Sequence, residues 1–506
     1  MFRQLTTRTD SGRRIRSGVT SRKATLLLAS LSRLLGIQVR NSSFAMNQRQ
    51  CPRFAIRLLG LFMVILALGV TASAEWKEKV LYSFQGGAND GSVPAGGVVF
   101  DPQGNLYGAT TDGGPATCKP IGGACGTAFQ LTPPAQKGGS WTETVIYQFQ
   151  GKGSNDASVP NGGLTRDAAG NLYGVTAYGG TGDCVLLGVP AGCGTVYELS
   201  PPKQKGGAWT ETILYSFPTA KQGYLPNGNL VFDSAGNLYG ATVFGGGKGT
   251  TCDKFYQYCG AVFELSPPET RGGKWTEKVL HAFAGGTDGA NPNGGLVLNS
   301  NGTLFGTTYT GGNQSCQYFQ DEIGCGTAFE LRRPTKKGGA WAERQLHVFT
   351  DGSDGATPNG GLIRDANGAL YGTGQGGANR GQGIVFRLEG KSGGRWEDIT
   401  IYDFPSNDLN GSSPLAGLIL DAKGNLWGTA SSGGTDGGGT IFRLRPAGKS
   451  WSFTVLHDFT RAPDGSRPSA SLIFDAAGNL YGTTQYSGSG QACGNYGCGT
   501  VFEVWP

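Results

Sequence analysis

The stretch Gly295-Leu-Val-Leu-Asn-Ser-Asn-Gly-Thr-Leu-Phe-Gly306 reads as a short strand, a tight turn and a second strand. It recurs along the chain, and Ser471-Leu-Ile-Phe-Asp-Ala-Ala-Gly-Asn-Leu-Tyr-Gly482 is the cleanest copy. The turn glycine falls at Gly104, Gly170, Gly236, Gly302, Gly368, Gly424 and Gly478. These positions are 66 residues apart four times over, then 56 and 54. A fixed long period marks a repeat architecture and takes precedence over any local reading.

One unit reads as four strands. Asn229 to Asp233 is the first, followed by the turn Asp233-Ser-Ala-Gly-Asn237. Asp bonds its own turn backbone, and Gly236 supplies the positive φ of a type I turn with a bulge. Asn237-Leu-Tyr-Gly-Ala-Thr242 is the second strand, and a variable Gly-rich loop leads to the third, Gly260 to Leu265. Pro267 to Gly273 ends that strand and opens the fourth, Trp275 to Phe283, which matches Trp209 to Phe217 one unit earlier. Strict alternation there puts Trp209, Ile213, Tyr215 and Phe217 on one face. The inner strands are apolar on nearly every residue, as expected of a sheet covered on both faces. No stretch of 75–506 shows helical periodicity. The 89 Gly and 24 Pro sit at fixed offsets between strand-like runs, so the composition reports turns and not disorder.

The ends carry the decisive register. Trp76-Lys-Glu-Lys-Val-Leu-Tyr-Ser-Phe84 is a fourth strand with no first, second or third before it, and Gly499-Thr-Val-Phe-Glu-Val504 is a third strand with no fourth after it. The orphan at the start completes the unit at the end, which ties the termini together and removes an exposed edge. Fourth strands begin at Trp76, Trp141, Trp209, Trp275, Trp341, Trp396 and Trp451. The expectation is an all-β, seven-bladed β-propeller of four-stranded blades over 75–506, closed by the N-terminal strand. The alternative is an open array of hairpins.

The repeat Gly-Asn-Leu-Tyr-Gly-x-Thr … Gly-Gly … Cys-Gly-Thr-Val-Phe-Glu-Leu resembles that of the choice-of-anchor tandem repeat GloVer-containing proteins of bacterial surfaces and secretions. Its Asp-x-x-Gly-Asn-Leu-Tyr core is also similar to NHL-type propeller blades. The GloVer resemblance covers essentially all of 75–506. It implies a surface or secreted repeat protein with a variable carboxyl-terminal anchor and no assigned activity. This sequence instead stops at Val504-Trp-Pro506 in a strand pattern, without a hydrophobic tail.

Residues 1–45 hold nine Lys and Arg against one acid, Asp10, and carry no repeat. They read as a basic leader or an over-extended start. Met46 to Arg57, the apolar run Leu58 to Val70 and the small residues Ala72 and Ala74 describe a secretory signal over 46–74, cleaved before Glu75. The run is short of the ~20 residues of a membrane span. A secreted or periplasmic monomer without a stable membrane anchor is expected. The whole chain is +6, but twelve basic residues and one acid fall within 1–74, which leaves 75–506 at about −5. Without a clustered basic face, nucleic acid is excluded as the expected partner.

Ten of the 11 cysteines pair by position as Cys118/Cys125, Cys184/Cys193, Cys252/Cys259, Cys316/Cys325 and Cys493/Cys498, each in a loop between second and third strands. The two blades without a pair have short loops, 373–383 and 429–439. Disulfides stapling long loops of an exported protein explain this better than zinc, because each blade supplies two thiols and the chain has three His. Those three, His281, His347 and His457, occupy the place of Tyr82 and Tyr215 and read as structural.

Asp90, Asp156, Gln222, Asp288, Asp354, Asn410 and Asp464 each stand four residues before a Pro in the blade-to-blade connection. A ring including Asp90, Asp288, Asp354 and Asp464 offers oxygen ligands for Ca²⁺, whereas Asp-Gly before x-x-Pro is equally a turn. Phe255, Tyr256, Tyr258, Tyr318, Phe319, Asp321 and Glu322 lie in the individual, non-repeated loops and suit glycan or peptide contact. The reading is a binding module presenting loops 112–125, 179–193, 245–259 and 311–325 to a glycan or protein. Its rivals are a glycoside hydrolase or polysaccharide lyase using Asp321, Glu322, Asp288 or Asp354, and a purely structural envelope protein.

Overall fold

In a computed structural model of the chain, residues 76–506 are described except 95, 115–116, 119–122, 137, 187, 247–258, 271, 320–321, 337 and 378–380. Only the backbone is described at 117–118, 317–319 and 322–323. The chain divides into two units, Met1–Ser73 and Ala74–Pro506. The expected leader and signal segment therefore lie outside the described residues.

The second unit is all-β: seven small antiparallel sheets are ringed as a seven-bladed propeller. A typical blade runs Val297–Leu298, Leu304–Thr308, Thr327–Arg332 and Ala342–Val348 from inside to outside, each strand paired with the next. The last blade is built from both ends of the chain. Ile473–Phe474, Leu480–Thr484 and Thr500–Trp505 supply three strands, and Lys77–Ser83 pairs antiparallel with Thr500–Trp505 as the fourth. This is the closure that the orphan strands required. Two blades carry a further short strand from the entering connection, Ala157–Pro160 and Ala356–Pro358, paired with the far end of the second strand.

The repeat residues explain the local geometry. Asp233 Oδ1 accepts the N–H groups of Ala235 and Asn237 at 2.9 and 3.0 Å, and its Oδ2 accepts Asn237 Nδ2 at 2.9 Å and Tyr239 OH at 3.0 Å. Gly236 closes the turn at φ 84°. In the second strand Gly240 is demanded by packing, since a Cβ there would meet Phe263 Cζ at 2.6 Å. The Phe ring of the third strand lies where that side chain would be.

Blades are joined along seams. The Phe ending one outer strand packs on the aromatic of the next blade's third strand, as in Phe149 on Tyr197 at 5.1 Å and Phe217 on Phe263 at 5.3 Å between ring centres. Phe84 repeats this against Phe129 at 5.0 Å, and Trp141 reaches Tyr481 at 6.4 Å, so the first and last blades meet as any other pair does. One local expectation needs correction. The register slips between Val196 and Tyr197, leaving Leu214 as a bulge. Trp209 and Ile213 then pack with Tyr107, while Leu214, Tyr215 and Phe217 join the following core cluster. The extra residue twists the outer strand and breaks strict alternation.

Candidate functional site

The carboxylates before each Pro lie in the seams. Asp90 Oδ2 accepts Tyr82 OH at 2.9 Å and Gln85 N–H at 2.6 Å, while its Oδ1 accepts Gly91 N–H at 2.6 Å. Asp288, Asp354 and Asp464 sit 3.4, 3.1 and 3.2 Å from Nε2 of His281, His347 and His457. Each also accepts a main-chain N–H, from Ala284, Thr350 and Thr460. The expected ring thus performs turn and seam bonding, and none of the four lines the channel cavity described below. The three His rings pack edge-on to Phe283, Phe349 and Phe459, each at 4.7 Å.

A second carboxyl, absent from the sequence reading, completes most seams. Glu78, Glu143, Glu211, Glu277, Glu343 and Asp398 each bury one carboxyl oxygen. Burial first, then Asp464, pushes Glu78 up to about 8. Burial and Asp90 raise Glu143 to about 8, and burial and Asp156 raise Glu211 to about 9. Two acids facing each other in a low dielectric share a proton and do not both ionise. Where Asn410 replaces the Asp, Phe453 replaces the second acid and stacks on Tyr402 at 4.0 Å. Among the described residues, Glu78, His457 and Asp464 bring ligand atoms within 4.8 Å of one another, which offers a cation three donors. Tyr82 and Tyr147 fill the His place elsewhere and donate to Asp90 and Asp156, which makes hydrogen bonding the shared role.

The loops between second and third strands meet the blade-to-blade connections, as in Gly180 N–H to Asp156 O at 2.8 Å and Val93 N–H to Cys498 O at 2.9 Å. Disulfides Cys184–Cys193, Cys316–Cys325 and Cys493–Cys498 staple three of these loops. Cys125 and Cys259 are disulfide-bonded as well; the side chains at Cys118 and Cys252 lie outside the described residues. So do Phe255, Tyr256, Tyr258 and Asp321. Tyr318 and Phe319 fall in the strand Gln317–Phe319, hairpinned to Glu322–Ile323.

Two concavities carry the remaining chemistry. A cleft of about 460 Å³ lies between the first connection and the loops of the first and last blades, lined by Ser92, Val93, Asp112, Ala124, Tyr486 and Tyr496 among others. Tyr496 is 74% exposed, its ring centre is 5.9 Å from that of Tyr486, and the Arg467 guanidinium lies 5.7 Å over the Tyr486 ring. Asp112 Oδ1 accepts the N–H groups of Gly113 and Ala124, both at 2.9 Å. The other is a cavity of about 470 Å³ lined by the entry segments of all seven blades, with Asn161, Asn227, Asn293 and Asn359 along one arc. Among the described residues, no charged side chain lines it.

The sequence carried signals for these features. The Asn residues each follow a Pro at a 66-residue spacing, and the second acid stands two residues after the Trp in Trp-x-Glu. Tyr486 and Tyr496 belong to a last-blade loop read only for its cysteines.

The family described as the Gloeobacter/Verrucomicrobia repeat matches residues 69–251, 184–408 and 391–506. No curated protein matches. Among solved structures, a calcium-bound carbohydrate-active enzyme of Trichoderma reesei is similar at 13% identity and TM-score 0.41, over 86% of this chain and 96% of that one. A luciferin-regenerating enzyme gives 11% identity and TM-score 0.40 over 85% and 95%, respectively. A protein of unknown function from Dyadobacter fermentans gives 11% and 0.41 over 85% and 98%.

Proposed function

We propose that this chain, which belongs to the Gloeobacter/Verrucomicrobia repeat family, is an exported, non-enzymatic recognition module that holds a glycan on its disulfide-stapled loop face. The cleft between the first and last blades carries this reading. It sets an exposed tyrosine, Tyr496, beside Tyr486, the Asp112 carboxylate and main-chain amides. Aromatic faces next to polar groups match the apolar and hydroxylated faces of a sugar ring. Glycoside hydrolysis uses two carboxylates across the scissile bond. Among the described residues, the cleft lining offers Asp112 alone, with one oxygen already bonded to the loop backbone. Disulfides persist in oxidising compartments, which supports export.

The test is binding of the purified chain and of Tyr496→Ala to a glycan array, with and without calcium, and with the eluates assayed for cleaved sugar. Saturable binding weakened roughly tenfold by the substitution, about 1.4 kcal/mol, is the expected result. Undiminished binding would move the site elsewhere, and release of reducing or unsaturated ends would replace recognition with catalysis. Binding only to proteins on a parallel protein array would replace glycan with a polypeptide partner.

A further inference from the structure

We infer that the cavity at the channel is a second, separate binding site, for a neutral polyhydroxylated molecule of monosaccharide to disaccharide size. Every blade enters it through Pro followed by one variable residue and then Gly or Ala. That variable residue is Ala95, Asn161, Asn227, Asn293, Asn359, Leu415 or Ser469 in chain order. The turn does not require asparagine, because Leu415 and Ser469 occupy the same place, and none of the four Asn has positive φ. All four are partly exposed, so solvent reaches them.

The asparagines form a directed amide arc. Asn227 Nδ2 donates to Asn293 O at 3.1 Å and to Asn293 Oδ1, and Asn293 Nδ2 donates to Asn359 Oδ1. The arc ends open: among the described residues, the Asn359 Nδ2 group and the Asn161 side-chain amide have no protein hydrogen bond. Leu415 stands in the same ring of entry residues, and aliphatic side chains from every blade line the cavity, among them Leu164, Leu230, Leu296, Leu362 and Leu418. Amides beside branched aliphatic chains fit the hydroxyls and the C–H faces of a pyranose. A charged ligand would meet no counter-charge in this lining, and an unpaired charge removed from water is costly. The volume of about 470 Å³ lies within the range of small-molecule sites.

The inference does not depend on the loop-face cleft, and one experiment separates them. Titration calorimetry of the full chain would use D-glucose, D-galactose, N-acetylglucosamine and maltose as neutral probes, with glucuronate and calcium chloride as charged ones. Asn161→Leu places at that turn a residue the repeat already accepts at Leu415, so its fold is retained. Saturable binding of a neutral probe is expected, reduced at least tenfold by Asn161→Leu. Absence of binding by every neutral probe, equal affinity for glucuronate, saturable calcium binding lost in Asn161→Leu, or indifference to Asn161→Leu would each overturn it.

Discussion

Replacing Phe84 with Ala tests whether the first strand closes the ring as an equal member. Phe84 is fully buried and lies edge-to-face with Tyr82 at 5.2 Å and with Phe129 of the first blade at 5.0 Å. Phe217 has the same environment inside the chain, fully buried with Tyr215 at 5.1 Å and Phe263 at 5.3 Å. Truncating a buried Phe costs about 3–5 kcal/mol through lost transfer energy and the cavity left behind. Edge-to-face pairing adds ~0.5–1.5 kcal/mol per pair, which places both substitutions toward the upper part of that range. In a closed ring the two variants lose similar stability, and each unfolds in the same transition as the parent. Urea denaturation followed by tryptophan fluorescence reads this directly, because Trp76 on the closing strand stacks edge-on to Trp427 at 5.4 Å. A loss below about 1 kcal/mol for Phe84→Ala, with the full cost for Phe217→Ala, would make the first strand a loose edge addition. An early transition confined to the last blade would say the same.

Opening one staple with Cys184→Ser/Cys193→Ser removes a crosslink that spans nine residues and is worth ~2–3 kcal/mol; faster amide exchange over 180–194 is expected, and unchanged exchange would contradict the stapling role. Gly240→Ala forces a Cβ to within 2.6 Å of Phe263 Cζ and 2.9 Å of Leu230 Cδ2, and overpacking of this kind costs about 1–3 kcal/mol; an unaltered urea midpoint would show that the ring has room to move. The seam acids make stability depend on pH. Burial and Asp156 raise Glu211 to about 9, so its contribution is complete below the ordinary carboxyl value of ~4.3 and is lost as pH rises toward 9. Glu78 and Glu143, raised to about 8, add to the same decline. The melting temperature should therefore fall between pH 5 and pH 9, and Glu211→Gln, which mimics the protonated acid, should shrink the fall; parallel curves for the two proteins would refute proton sharing in that seam.

The ring was legible because its markers are periodic and local. The seven turn glycines, the Trp that opens each outer strand and the unmatched strands at the two ends give blade number and closure without any long-range contact. The bulge at Leu214 was not legible, since it arises from how the outer strand opposes Val196 and Tyr197. The pairing of Glu143 with Asp90, or of Glu78 with Asp464, joins residues from different repeats and depends on blade packing. The asparagine arc was written in the 66-residue spacing, but Asn between Pro and Gly is ordinary turn chemistry. Only the geometry shows that Leu415 and Ser469 make the same turn and that the amides face one cavity. Tyr496 has no repeated counterpart at all, which is why periodicity passes over it.

Recognition without turnover is tested most directly by following one soluble polysaccharide retained by the purified chain over time. Saturable, reversible retention with the recovered polymer unchanged in length is the predicted result. Progressive shortening of the polymer, or the appearance of new reducing or unsaturated ends in proportion to protein added, would contradict it.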